Sequence, residues 1–99
     1  MVYKYEFTEL VIKDIDEVMY YITNVLCNEN AALELLSVIE TTINKVCMFP
    51  MSYPNCEYYN IKDEFIRHVI IGNYDLVFMI EKEKIIFLRF KYSKKDKIL

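Results

Sequence analysis

The chain has 99 residues, enough for one hydrophobic core, and we interpret residues 1–99 as a single domain. Hydrophobic residues make up 55% of it, with one glycine and two prolines, a composition that excludes a disordered protein. The net charge of −3 is unevenly distributed, because residues 1–60 carry three lysines against nine acidic residues, whereas residues 61–99 carry nine basic residues against six acidic ones. The basic C-terminal part indicates either a nucleic-acid contact or a solvated charged surface.

Membrane and metal-site signals are weak throughout the chain. No apolar run approaches the roughly 18 residues of a membrane helix, and the N-terminus has no signal-peptide core, so we expect a cytoplasmic protein without a membrane contact. Cys27, Cys47 and Cys56 show no CxxC spacing and accompany a single histidine, which predicts reduced thiols without a metal site or a cofactor. Cys27 and Cys47 lie near predicted helix ends, and we interpret them as buried packing residues.

The first half of the chain predicts a strand followed by two helices. Residues 2–8 alternate as a strand does, and Thr8 is suited to cap a helix over 10–26, whose apolar residues recur at three and four. Asn28 begins a second apolar stripe that stops before Phe49-Pro50, because the residue ahead of proline is disfavoured in a helix. The short connection makes the two helices antiparallel, an αα-hairpin.

The last third predicts a three-stranded antiparallel meander. Gly72-Asn73 is suited to a two-residue hairpin turn, and residues 81–84 form a second reversal. The whole chain therefore predicts an α+β fold of the order β-α-α-β-β-β. If both turns are two-residue loops, Arg67, Phe78 and Phe87 share a row across the sheet, and Leu76 lies beside Arg89.

The meander holds both arginines of the chain, Arg67 and Arg89. Alternation of side chains places these two and Lys91 on one face, with the two arginine Cα atoms about 12 Å apart, and His68 and Tyr92 on the other face. Because an unpaired buried arginine is very costly, we expect the three cations on the face that the helices leave open. That spacing is suited to successive phosphates or an acidic partner segment, although pairing with local acids remains the alternative.

Several segments together resemble the RelE/ParE superfamily of bacterial type II toxin–antitoxin toxins, nearly end to end. NENAALELLSVIETTINKV followed by FPMSYP is similar to the second helix of that superfamily and its exit. FIRHVIIGNYDLVFMI is similar to its arginine-bearing strand, Asn-Tyr turn and next strand. IIFLRFKYSKKDKIL resembles the family ending, in which a strand with an arginine leads to a Tyr or His and two basic residues.

The resemblance implies a toxin that a paired antitoxin neutralises. RelE-like members cleave mRNA in the ribosomal A site without a metal, whereas ParE-like members inhibit DNA gyrase without enzymatic activity. We expect the first activity, a ribosome-dependent endoribonuclease, and keep two alternatives: a gyrase inhibitor, and a weakened toxin that retains only antitoxin binding. The antitoxin tail is expected to be amphipathic and to lie in an apolar groove beside the helices.

For the nuclease, the resemblance implies a catalytic group, formed by Arg67, Tyr92, Lys94 and Lys95, and a set of RNA-binding residues. Arg67 matches the arginine that contacts the scissile phosphate, Tyr92 matches the position of a Tyr or His, and Lys94 and Lys95 stand where the family usually has two arginines. Attack by the 2′-OH also needs a base, for which Lys62 and His68 are candidates. The RNA-binding set is Arg89, Lys91, Lys62 and His68. By alternation, Tyr92 reaches the side of Arg67 only if a bulge or bend follows Arg89.

Overall fold

The structure, a computed structural model, describes residues 2–56 and 65–93 and has the expected order of strand, two helices and three strands. The strands are β1 (Lys4–Phe7), β2 (Ile66–Ile71), β3 (Tyr74–Glu81) and β4 (Lys84–Tyr92). The helices are α1 (Glu9–Tyr20), which a π-helical turn over Tyr21–Val25 extends, and α2 (Glu29–Met48). The predicted α+β class is confirmed. No helix in these two ranges is long and apolar enough to cross a membrane.

Both helices begin at the predicted caps. The Thr8 hydroxyl accepts a hydrogen bond from the Val11 N–H at 3.1 Å, and the Asn28 side chain accepts one from the Ala31 N–H at 3.1 Å. These bonds satisfy backbone donors that the first turn of a helix leaves without a partner. The second helix ends at Met48, directly before Phe49-Pro50, as the proline predicts.

The strands form one sheet in the order β1-β4-β3-β2, with β1 parallel to β4 and the other neighbours antiparallel. Both reversals in the meander are two-residue turns, and the first residue of each, Gly72 and Lys82, has a positive φ of 59° and 55° respectively. Primed hairpin turns require that conformation, and it is natural for glycine and strained for lysine.

The helices cover one face of the sheet. The core unites residues of α1 and α2, such as Val11 and Val46, with the completely buried Phe78 and Phe87 of the sheet. A smaller apolar cluster around Cys56 and Val77 lies on the other face. Cys47 is buried in the core as predicted.

The burial predicted for Cys27 is wrong. This residue is exposed and has a φ of 52°, because it forms the connection between the π-helical turn and α2 rather than part of a helix face.

A β-bulge in β4 changes the predicted register. Arg67, Phe78 and Phe87 share a row as expected, but the next pairs are Val77 with Arg89 and Leu76 with Phe90. The predicted pairing of Leu76 with Arg89 is therefore wrong, because Leu88 is an extra, unpaired residue of β4 between Phe87 and Arg89. One additional residue reverses which face every later side chain of the strand occupies.

Candidate functional site

Arg67 lies on the helix-covered face, since it is opposite Phe78 in the sheet. The Nη1 atom of its half-buried side chain donates a hydrogen bond to the backbone carbonyl of Tyr53, while its Nε atom is buried without a hydrogen-bond partner among the described residues. The expectation that Arg67 points to the open face is wrong. The Tyr53 carbonyl, in the segment that runs beside β2, supplies an acceptor for the guanidinium there.

The bulge places Arg89 and Lys91 on the opposite face from Arg67, so the three cations do not share a face as predicted. The Arg89 guanidinium holds the carboxylate of Asp14 on α1, with its Nε atom 2.8 Å from Oδ2 and its Nη2 atom 3.1 Å from Oδ1. Lys91 Nζ is 3.4 Å from the same carboxylate, and the backbone N–H of Phe90 donates to it at 3.0 Å. Both cations are thus paired within the chain, with a partner that is far away in sequence.

Asp14 is the buried anchor of that cluster, with 7% of its side chain exposed. Burial by itself would raise the pKa of Asp14, but the hydrogen bonds from Arg89 and from the Phe90 N–H, together with the charges of Arg89 and Lys91, outweigh it and lower the pKa below its ordinary value. The carboxylate is therefore ionised at neutral pH. It joins α1 to the half of β4 that extends beyond the end of β1.

His68 lies opposite Val77 and therefore in one row with Arg89, on the face that the helices do not cover. Its Nδ1 atom is 2.8 Å from Oδ1 of Asp75, whose side chain is 5% exposed. A histidine held in this way by a carboxylate has a set orientation, which is a property that general bases share.

Tyr92 lies in an aromatic cluster at the end of β4. Its ring contacts the Tyr74 ring edge-on at 5.7 Å, and Tyr74 stacks on Phe90 with ring centres 5.0 Å apart. Burial and the neighbouring hydroxyls of Tyr92 and Tyr21 raise the pKa of Tyr74. The bulge brings Tyr92 to the face of Arg67, so the prediction that the two face opposite ways is wrong. The bulge lies at Leu88, before Arg89, and not after Arg89 as the alternation argument required.

Sharing a face does not bring Arg67 and Tyr92 together. Arg67 in β2 pairs with Phe78 of β3, and Tyr92 in β4 pairs with Tyr74 of β3. Arg67 and Tyr92 therefore lie on opposite sides of β3. Spacings of about 3.4 Å along a strand and about 4.8 Å between strands place their Cα atoms about 17 Å apart. Lys62, Lys94 and Lys95, the other predicted site residues, lie outside the described residues.

Of the predicted site residues, the structure brings His68, Arg89 and Lys91 to one face of the sheet. Sequence reasoning missed Asp14. The only available signal was chemical, because two cations at alternate positions of a predicted strand need an anion if they approach a core. Within the described part of the chain, no group of acidic, histidine and cysteine side chains is suited to hold a metal ion.

A second surface feature is an apolar groove where β1 meets the two helices, with a volume of about 400 Å³. Its lining residues are Tyr5, Phe7, Ile12, Ile15, Asp16, Leu36, Ile39, Glu40, Ile43 and Asn44. Ile39 and Ile43 belong to the buried apolar stripe of α2, whereas Ile12 is 48% exposed and lies beside the buried Val11 of α1. Apolar residues outside the stripe were the signal for this groove.

Comparison with known proteins identifies the family. The model of the ParE toxin family, described as the ParE toxin of the type II toxin–antitoxin system parDE, matches residues 5–97. The chain belongs to the ParE toxin family. The resemblance to the RelE/ParE superfamily is thereby confirmed.

A solved structure supports the fold of this ParE-family chain. A chain from the chromosomal ParDE toxin–antitoxin system of P. aeruginosa is similar with a TM-score of 0.72 and 14% sequence identity, covering 92% of this chain and 96% of that one. A comparison with curated proteins finds no match.

Proposed function

We propose that this ParE-family toxin arrests growth by inhibiting DNA gyrase rather than by cleaving mRNA. The observation that carries the proposal is the separation of about 17 Å between Arg67 and Tyr92. Gyrase inhibition is the activity that resemblance to the ParE branch implies, and it requires no catalytic centre.

Cleavage of RNA by 2′-OH attack requires a base, donors for the phosphate and an acid for the leaving oxygen, all within hydrogen-bond reach of one phosphate group. Arg67 donates instead to the Tyr53 carbonyl beneath the helices, and Tyr92 packs against Tyr74 at the other end of the sheet. This arrangement does not favour the catalytic roles that the superfamily resemblance implied for the two residues.

mRNA cleavage keeps one supporting observation and is therefore the second candidate. His68, oriented by Asp75, lies in one row with Arg89 on the open face, and Lys91 lies on the same face two residues further along β4. However, Asp14 pairs with both cations, so their charge is partly neutralised before any phosphate approaches. The balance of these contacts favours gyrase as the target.

The purified chain should inhibit DNA supercoiling by gyrase, and its induction in cells should cause gyrase-dependent DNA damage while mRNA stays intact. The matched variants are Arg67→Ala and His68→Ala, each compared with the wild type by mapping mRNA 5′ ends after induction. Codon-phased cuts in the wild type that disappear in either variant would overturn the gyrase proposal. Unimpaired growth after induction would instead indicate a weakened toxin.

We also propose that a cognate antitoxin neutralises this chain, as the family membership implies. Co-expression with the product of the neighbouring gene should yield a stable complex and restore growth. If the two proteins elute separately from a sizing column, and growth stays arrested, this partnership is refuted.

A further inference from the structure

A second concave surface lies between the C-terminal end of α1, the turn that joins β2 to β3, and the end of β4. It has a volume of about 670 Å³ and shares no lining residue with the apolar groove. We call it the tyrosine pocket, because Tyr21, Tyr74 and Tyr92 line it together with Phe90. Concave surfaces lined by aromatic side chains are typical of ligand sites.

The aromatic rings of the tyrosine pocket are partly accessible. Tyr21 is 50% exposed and Tyr92 is 42% exposed, whereas Phe90 is buried and stacks on Tyr74. Burial raises the pKa of Tyr74, and the neighbouring hydroxyls of Tyr92 and Tyr21 raise it further. The three phenol groups therefore lie close together around one concavity.

Backbone contacts hold two walls of the pocket in place. The Leu26 N–H donates to the Tyr21 carbonyl at 3.0 Å across the π-helical turn that follows α1. On the other wall, the N–H and the hydroxyl of Ser93 donate to the Asn73 carbonyl at 2.8 Å and 3.0 Å. π-Helical turns are frequent at functional sites, and a site that is ordered before binding loses less entropy when it binds.

The charges around the tyrosine pocket favour a cationic occupant. Lys91 lines the pocket but lies 3.4 Å from the carboxylate of Asp14, which partly neutralises it. Glu17 also lines the pocket, is exposed, and has no ion-pair partner within residues 2–56 and 65–93. Because the face of an aromatic ring is negative, rings and a nearby carboxylate attract the same cation.

We propose that the tyrosine pocket binds an arginine side chain of the protein that the toxin acts on, with the rings of Tyr21 and Tyr92 around the guanidinium and Glu17 beside it. Arginine is favoured over lysine, because its planar guanidinium stacks on aromatic rings and is less strongly hydrated than an ammonium. That this protein is DNA gyrase rests on the proposed function.

Two small compounds test the pocket directly. N-acetylarginine amide carries the cation, and N-acetylcitrulline amide has nearly the same shape without the charge. The isotope-labelled full-length chain is titrated with each compound and followed by NMR at low salt. We expect saturable shifts of the Asn73 and Tyr92 amides with the arginine compound, and binding at least about fivefold weaker with the citrulline compound. Added salt should weaken the arginine interaction.

Matched variants separate the pocket from general surface effects. Tyr21→Leu removes the ring and should weaken arginine binding about threefold or more, whereas Tyr21→Phe keeps the ring and should retain most of it. Tyr5→Leu is the control, because Tyr5 is 48% exposed and lies outside the pocket. Glu17→Gln should weaken binding more than Asp16→Asn, its neighbour on α1 outside the pocket. Circular dichroism checks that each variant is folded.

The same variants connect the pocket to the target. Equal inhibition of supercoiling should require several-fold more of the Tyr21→Leu variant than of the Tyr5→Leu variant. Equal potency of these two variants would overturn the role of the pocket and leave the gyrase proposal intact. If the wild type does not inhibit supercoiling, the gyrase proposal fails, and the arginine titration still decides whether the pocket binds a cation. The two failures are therefore distinguishable.

Other occupants give different results. Equal affinity for the arginine and citrulline compounds, or tighter binding of inorganic phosphate, would overturn the proposal. Self-association that Tyr21→Leu abolishes would overturn it as well, since the occupant would then be a second copy. A gain in arginine binding of more than about tenfold in the double variant Lys94→Gln with Lys95→Gln would exceed the effect of two surface charges. That gain would identify the chain's own lysines as the occupant and would also refute the proposal.

Discussion

At the scale of single residues, the carboxylate of Asp14 joins α1 to β4. This carboxylate forms ion pairs with Arg89 and Lys91 and accepts a hydrogen bond from the Phe90 N–H, although the side chain is almost completely buried. Removing one partner of a buried ion pair leaves the other charge uncompensated, which is more costly than loss of the contact alone.

We expect Asp14→Asn to lower the free energy of unfolding by about 3 kcal/mol at neutral pH, because Arg89 loses its partner. The folded-state pKa of Asp14 is lowered, so its contribution is fully present above the ordinary aspartate pKa of about 3.9 and is lost as the pH falls through the folded-state value. The difference between wild type and variant should therefore shrink below about pH 4 in urea titrations. The exposed Asp16→Asn is the control, with an expected change within about 0.5 kcal/mol. A pH-independent difference for Asp14→Asn would refute the linkage.

At the scale of secondary-structure elements, one residue joins the start of α1 to the sheet. The Thr8 hydroxyl accepts from the Val11 N–H, and it donates to the carbonyl of Leu88, the bulge residue, at 3.0 Å. The same side chain therefore caps the helix and holds it against the part of β4 that β1 does not reach.

Thr8→Ala should lower the free energy of unfolding by about 1–2 kcal/mol, because the variant loses the cap and the bond to β4 together. Thr8→Ser retains the hydroxyl and should recover most of that stability, as measured by chemical denaturation. Equal losses in both variants would mean that the threonine methyl group, and not the hydroxyl, is responsible.

These helix starts show how far local sequence carries a prediction. A cap such as Thr8 or Asn28 acts within one helical turn, and Gly72-Asn73 acts within one hairpin, so each could be identified without knowledge of the fold. The partner of Arg89 could not, because Asp14 lies 75 residues earlier in the chain. A sequence pattern of a few residues cannot relate two residues that are so far apart in the chain.

At the scale of the whole molecule, the aromatic residue Phe78 connects the sheet to the segment that runs beside β2. Phe78 is completely buried, with its ring centre 6.0 Å from those of both Phe87 and Tyr53. The Tyr53 carbonyl in turn accepts from Arg67, so the core row also positions that arginine.

Phe78→Ala should lower the free energy of unfolding by about 3–5 kcal/mol, the cost of lost burial and of the cavity that remains. Phe49→Ala removes an aromatic ring that is 66% exposed and should cost far less. Thermal unfolding followed by circular dichroism distinguishes the two. Similar losses would indicate that Phe78 is not central to the core.

Local sequence was sufficient for the six main elements, their caps, the two hairpin turns and the superfamily. All of these depend on interactions within a few residues, or on motifs that are read along the chain. The order of the strands, the faces of the arginines and the groove required the folded molecule. They depend on long-range pairing, in which β1 lies beside β4 and the additional residue Leu88 moves Arg89 away from the face of Arg67. Side chains in a strand alternate with a period of two, so a bulge of one residue is enough to reverse them.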